Sequence, residues 1–301
     1  MNLLPAASAG DIGAAVPGIG DVREPLRGGQ RLVFPCTFGE SAIALSVLKI
    51  DLPAELPWPD DASLGFGESV KGRAERELEL LANCNTPHLV RPVEPVLTDA
   101  IVRGEAVIYF GEEWVEGRSV RDLLASYTVL EVQEVVRLAT EVCMAIEQLW
   151  SLRAVHRDIK PDNVIRRTDS GAYVLLDLGV ALDLSASSLT VFSGVVPGTY
   201  SYYSPEQADV TKKRTLDFRS DLFALGLVLY DALAGRHAFR RSGMDRDTTI
   251  RAICCETPQP VSQFRPDVPP ALEAVVMRLL RKSPHQRYNS CSSLVRELQA
   301  I

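Results

Sequence analysis

The run His156-Arg157-Asp158-Ile159-Lys160-Pro161-Asp162-Asn163 gathers carboxylates, an ammonium and an amide in one short polar stretch. Asp158 can accept the proton of a hydroxyl group and orient the attacking oxygen. Asn163 offers an amide oxygen, a hard ligand suited to Mg2+. Lys160, two residues past Asp158, can offset negative charge that develops on a phosphoryl group. Fourteen residues after Asn163, the apolar run Tyr173-Val174-Leu175-Leu176 ends in Asp177-Leu178-Gly179. A carboxylate at the end of a buried strand, beside a glycine that permits unusual backbone angles, can clamp a metal ion. Taken alone, each segment reads as an ordinary polar turn, where Asp, Pro and Asn are common. Together they offer a base, a cation and hard oxygen ligands for a metal ion, a set that ordinary turns do not explain at this fixed spacing.

Upstream, Ser46-Val47-Leu48-Lys49 sets a lysine at the end of an apolar strand. Such an ammonium is costly near a core unless an anion pairs with it; a lysine snorkelling at a sheet edge is the alternative. The stretch Arg73 to Asn83 places Leu78, Leu80 and Leu81 on a charged background, a short amphipathic helix carrying Glu75, Glu77 and Glu79 as candidate partners.

The elements that must position these groups change character along the chain. Residues 1–24, rich in Ala, Gly and Pro, read as a flexible leader. Strands are expected over 31–34, 43–50, 90–96 and 106–110, with a Pro- and Gly-bearing loop insert over 51–72. Helices follow over 120–126, 130–152, 220–234, 248–255, 270–281 and 292–300. The run Leu222–Tyr230 is apolar on every side, as in a buried core helix. Strands first and helices later imply an α+β protein of two lobes with a hinge near Glu112–Gly117.

Composition narrows the field. The hydrophobic fraction of 46% and charged fraction of 24% are those of a globular protein. A net charge of −7 argues against a nucleic-acid or anionic-membrane surface. No apolar run is long enough to span a bilayer, and the start lacks a secretory signal, so the cytoplasm is expected. The six cysteines are scattered without C-x-x-C spacing, which argues against a disulfide framework or zinc site.

The run from His156 to Asn163 matches the catalytic-loop pattern H-R-D-x-x-x-x-N, and the chain resembles eukaryotic-like (Hanks-type) serine/threonine protein kinases over about residues 25–301. Asp177-Leu178-Gly179 stands in the D-F-G slot, and Ser46-Val47-Leu48-Lys49 resembles the V-A-I-K strand. Gly198 to Glu206 looks like the end of an activation segment, with Ser204-Pro205-Glu206 in the A-P-E slot. Asp221 resembles the aspartate that anchors the catalytic loop, and Arg287 the arginine that pairs with Glu206.

The resemblance implies a two-lobed kinase fold: a small, mostly-β N-lobe over 25–112 and a larger, mostly-α C-lobe over 113–301. It implies ATP as donor with Mg2+, or Mn2+ as the alternative, bound by Asn163 and Asp177. Asp158 would be the catalytic base, with Lys160 and Lys49 on phosphates and Glu77 pairing with Lys49. Gly28, Val33, Val47, Lys49, Glu113, Val115 and Ile165 would line the nucleotide. Lys160 and Thr199 are typical of serine/threonine specificity, so protein Ser/Thr hydroxyls would be the acceptors. Arg157 would hold a phosphate on the activation segment, with Ser185, Ser187, Ser188, Thr190 and Ser193 as candidates, and self-association would allow trans-autophosphorylation.

Two departures stand out. Gly28 is the one glycine on the phosphate-loop pattern, with Leu26 and Arg31 in the first and third glycine slots; Arg31 could supply charge there. Glu112 falls where an apolar gatekeeper is usual, unless the alignment slips by one residue. A pseudokinase or ATP-binding scaffold, and a small-molecule phosphotransferase of similar fold, are the competing readings.

Overall fold

Alternating apolar residues build the first half of the chain. In the computed structural model, which describes residues 7–27, 31–50, 70–178, 182–183, 199–209 and 216–301, β3 (Leu32–Phe38) and β4 (Ser41–Lys49) form a hairpin. Gly39 turns it at φ +59°, a conformation open to glycine without steric cost. Along β4, Ile43, Leu45 and Val47 are buried on one face, and Ala44, Ser46 and Leu48 belong to the other. β1 (Ile19–Gly20) and β2 (Leu26–Arg27) pair with β3, while β6 (Glu105–Glu113) pairs with β4 and β5 (Pro92–Val102) flanks it. The result is a six-stranded antiparallel sheet.

The two faces of this sheet carry different helices. From α1 (Ala9–Ala15), Ile12 packs with Val16, Leu32, Phe34, Leu45, Val47 and Val107. From α2 (Val70–Asn83), Val70 and Ala74 pack with Ile108 and Phe110, and Leu48 and Ile50 lie against that cluster. The expectation of a flexible leader is therefore corrected over its described part. Ser8 and Asp11 form a reciprocal capping box, and Ile12 is fully buried.

The second half is helical. α4 (Val132–Ser151) and α6 (Phe218–Ala234) pack together, with α8 (Pro270–Leu279) against α6 and α9 (Cys291–Leu298) against α4. α6 is buried over nearly its whole circumference, as its uniformly apolar sequence requires. A Cβ on Gly226 would stand 2.7 Å from Leu279 Cβ, so glycine is what admits α8 this closely. Among the described residues, α3 (Val120–Tyr127), α5 (Pro205–Ala208) and α7 (Arg246–Cys255) are the remaining α-helices of this half. β7 (Gly117–Ser119), β9 (Val164–Arg167) and β10 (Tyr173–Leu175) form a small sheet, and β8 (Ala154–Val155) pairs with β11 (Leu182–Asp183).

Two compact units result, one mostly strand and one mostly helix. The expected single cut between 112 and 113 is refined: Val90–Val115 belongs to the first unit, whereas Cys84–Leu89 joins the second. None of the six cysteines forms a disulfide. Among the described residues, no helix is long and apolar enough to cross a membrane.

Candidate active site

In the second unit, β8 delivers the chain into the polar loop at His156, and a 3-10 turn over Pro161–Asn163 returns it to β9. Asp221, in the first turn of α6, fixes this loop from beneath. Its two carboxylate oxygens accept the backbone N–H groups of His156 and Arg157, each at 2.8 Å. Burial pushes the Asp221 carboxyl up to about 7, and those two N–H donors oppose the rise.

His156 is fully buried, and burial lowers its ring to about 4, so the imidazole is neutral. Its Nε2 lies 3.0 Å from the Leu176 carbonyl, which can only accept. The proton therefore sits on Nε2, leaving Nδ1 to accept the Asp158 N–H at 3.3 Å. Leu176 N–H donates in turn to the Asn163 carbonyl at 2.8 Å. The loop bearing Asp158 and the strand end bearing Asp177 are thereby tied through His156, Leu176 and Asn163.

Within the loop, Asp158 Oδ2 accepts from Lys160 Nζ at 2.7 Å and from Asn163 Nδ2 at 3.0 Å. Asn163 Nδ2 also reaches the Asp158 carbonyl at 2.9 Å, which commits its nitrogen and leaves Oδ1 for a cation. Asp158 Oδ1 is buried without a hydrogen-bond partner. An open acceptor in an otherwise satisfied site is suited to receive a hydroxyl. Burial raises the Asp158 carboxyl to about 6, with Lys160 pulling the other way. Arg157 and Asp177 both adopt left-handed backbone, φ +71° and +63°. Non-glycine residues held there cost on the order of 1–3 kcal/mol each, which the surrounding hydrogen bonds must offset.

The donor set fits a hard divalent ion. Among the described residues no group of three His, Cys, Asp or Glu side chains has metal-binding geometry. Mg2+ is commonly held by one or two protein oxygens together with waters and substrate phosphates, the role open to Asn163 and Asp177. Downstream, the expected Arg287–Glu206 pair is present, with Arg287 Nη1 and Nη2 on Glu206 at 2.6 and 2.9 Å.

The first unit corrects the sequence reading. Lys49 Nζ pairs with Glu105 Oε1 at 2.6 Å, with the two side chains 24% and 30% exposed. Lys49 shares the strand face of Ile43, Leu45 and Val47, the face that packs with α1. The expected Lys49–Glu77 pair does not form. Glu77, buried on α2, instead accepts from Arg31 Nη1 at 3.1 Å. Arg31 Nη2 lies 3.4 Å from Glu112, which also accepts from Ser46 Oγ at 2.8 Å. The acidic residue at position 112 is thus a buried partner of Arg31 and Ser46. Val47, another residue expected to line the nucleotide, has its side chain fully buried in the α1 cluster.

Of the other candidates, Val33 stands opposite Ser46 in the hairpin, and Glu113 Oε1 accepts the Arg91 N–H at 3.2 Å. Val115 is buried and Ile165, on β9, half-buried. Gly28, Gly179 and the five candidate phosphorylation sites lie outside the described residues. Sequence reading missed Ser46, Glu105 and the pairing of Arg31 with Glu77. The signal for Lys49 was its period-two kinship with Ile43, Leu45 and Val47.

Comparison with known proteins gives the family and the fold. The family model described as protein kinase domain matches residues 66–298. A probable serine/threonine-protein kinase of Streptomyces coelicolor is 31% identical over 240 residues, covering 79% of this chain and 34% of its own. Serine/threonine-protein kinase PknD of Mycobacterium tuberculosis is 30% identical over 225 residues, covering 74% and 32%. The chain spans about a third of the length of these relatives. The crystal structure of the Mycobacterium tuberculosis PknI kinase domain superposes with a TM-score of 0.64 at 23% identity, covering 98% of this chain and 99% of that one.

Proposed function

The chain belongs to the protein kinase domain family, and from that premise we propose that it transfers the γ-phosphate of ATP to serine or threonine hydroxyls of proteins. One observation carries the reading: the half-buried Asp158 carboxylate has one oxygen gripped by Lys160 and Asn163, while the other is buried without a hydrogen-bond partner. Asp158 Oδ1 takes the hydroxyl proton and aims the oxygen. Lys160, held 2.7 Å from Asp158, faces the charge of the transferring group. Asn163 Oδ1 and the Asp177 carboxylate would hold Mg2+, or Mn2+ as the alternative, and the ion when bound neutralises phosphate charge. Within the first unit, Glu77 positions the Arg31 guanidinium.

Serine/threonine acceptors are supported by Lys160 and by relatives whose names carry that activity. Autophosphorylation between Asp177 and Glu206, read by Arg157, belongs to the same proposal, and the cytoplasm, where ATP is held, is the compartment it fits. The test is incubation with γ-labelled ATP and Mg2+, with and without a generic basic protein, beside D158A. Label on serine or threonine only with the unmutated chain is expected. Nucleotide binding without transfer would favour a scaffold and contradict the proposal, as would label confined to small metabolites.

A further inference from the structure

Lys49 and Arg31, two cations of the first unit, occupy opposite faces of one sheet. Lys49 stands on the α1 face with Ile43, Leu45 and Val47, held by Glu105. On the α2 face of β4, the position next to Lys49 is filled by Leu48, packed against Val70, Ala74, Ile108 and Phe110. A cation supplied by the sheet itself on that face therefore comes from another strand. Arg31, immediately before β3, supplies it: 6% exposed, on Glu77 at 3.1 Å and Glu112 at 3.4 Å, with its guanidinium 5.6 Å from the centre of the Phe110 ring.

We infer that Arg31, not Lys49, is the residue of the first unit that grips the phosphates of a nucleoside triphosphate, with Glu77 and Glu112 orienting its guanidinium. Three features support the assignment. Arg31 directly follows Gly28-Gly29-Gln30, so it sits where the chain leaves its one glycine pair in this region. A guanidinium is a planar, rigid fork whose geometry matches both carboxylate and phosphate oxygens. Its acidic partners are buried, so the fork is held in place before any nucleotide arrives. Lys49 needs no phosphate to account for it, since its pair with Glu105 at the sheet surface suffices.

The inference rests on the ATP-dependent reading above, and its test reads binding rather than turnover, so the two can fail separately. Affinities for Mg2+-ATP and for adenosine are measured by calorimetry on the unmutated protein, R31Q, R31K and K49Q, with melting temperatures alongside. R31Q should weaken Mg2+-ATP by about ten- to a hundredfold, the range for lost hydrogen bonds to a charged group, while adenosine binding holds. R31K should restore part of the loss because it keeps the charge. K49Q should leave both affinities within about twofold, as expected for a part-exposed pair. Loss of ATP affinity in K49Q but not in R31Q would overturn the inference. An equal loss of adenosine and ATP binding in R31Q would also overturn it, marking Arg31 as structural only. ATP binding that depends on Arg31 in a protein that transfers no phosphate would sink the kinase proposal and leave this inference standing.

Discussion

Glu206 and Arg287, 81 residues apart, meet through both guanidinium nitrogens at 2.6 and 2.9 Å. Arg287 has no exposed side-chain surface and spends its other donors on the carbonyls of Arg219, Arg281 and Lys282. Removing one partner strands a buried charge. R287A should lower unfolding free energy by about 3–5 kcal/mol in denaturant titration. R287K should recover little, because an ammonium cannot reproduce the planar fork. A loss below about 1 kcal/mol, the level of an exposed pair, would show the pair to be dispensable.

Asp221 accepts two backbone N–H groups with its two oxygens. D221N keeps the size but turns a donor toward one of them, at a cost of about 1–3 kcal/mol in stability. Because the loop it holds carries Asp158, the variant should also lose turnover with little change in ATP affinity. Unchanged turnover in a destabilised protein would mean that the loop keeps its shape without Asp221.

Gly226 stands where α6 and α8 touch, with Leu279 Cβ 2.7 Å from the position a Cβ would take. G226A gains helix propensity but overpacks this contact, so a net loss of about 1–3 kcal/mol is expected. A rise in melting temperature would contradict the close approach.

Asp231 is buried, accepts the Tyr202 hydroxyl at 2.6 Å, and titrates near 7 instead of 3.8 because of burial. A folded pKa above the unfolded one contributes stability that is full below about 3.8 and lost as pH rises through about 7. D231N removes that titration while the amide oxygen can still accept from Tyr202. The stability of the unmutated protein relative to D231N should therefore fall as pH is raised from 5 to about 7.5. A difference that grows with pH would contradict the buried, proton-holding carboxyl.

The second unit was far more legible than the first. Asp158, Lys160 and Asn163 lie within six residues of one another, and local spacing alone brings them together. Asp221 and Arg287 needed the resemblance as well, because their partners are remote in sequence. In the first unit a shift of one residue reverses a strand's face, and motif matching at Lys49 overrode the alternation that places it with Val47. The Arg31–Glu77 pair joins elements 46 residues apart, a relation that neither helix periodicity nor strand alternation encodes. The helix at Ala9–Ala15 was hidden by its Ala- and Gly-rich composition, although Ser8 and Asp11 already stood at capping-box spacing.

The central claim is that Asp158 is the base of a protein kinase, and the rate of γ-phosphate transfer by D158N at saturating Mg2+-ATP tests it most directly. Asparagine keeps the shape and can still accept from Lys160, but it cannot take a proton. Transfer should fall by about 10²–10⁴-fold with ATP affinity nearly unchanged. A D158N protein that phosphorylates serine or threonine as fast as the unmutated chain would contradict the account.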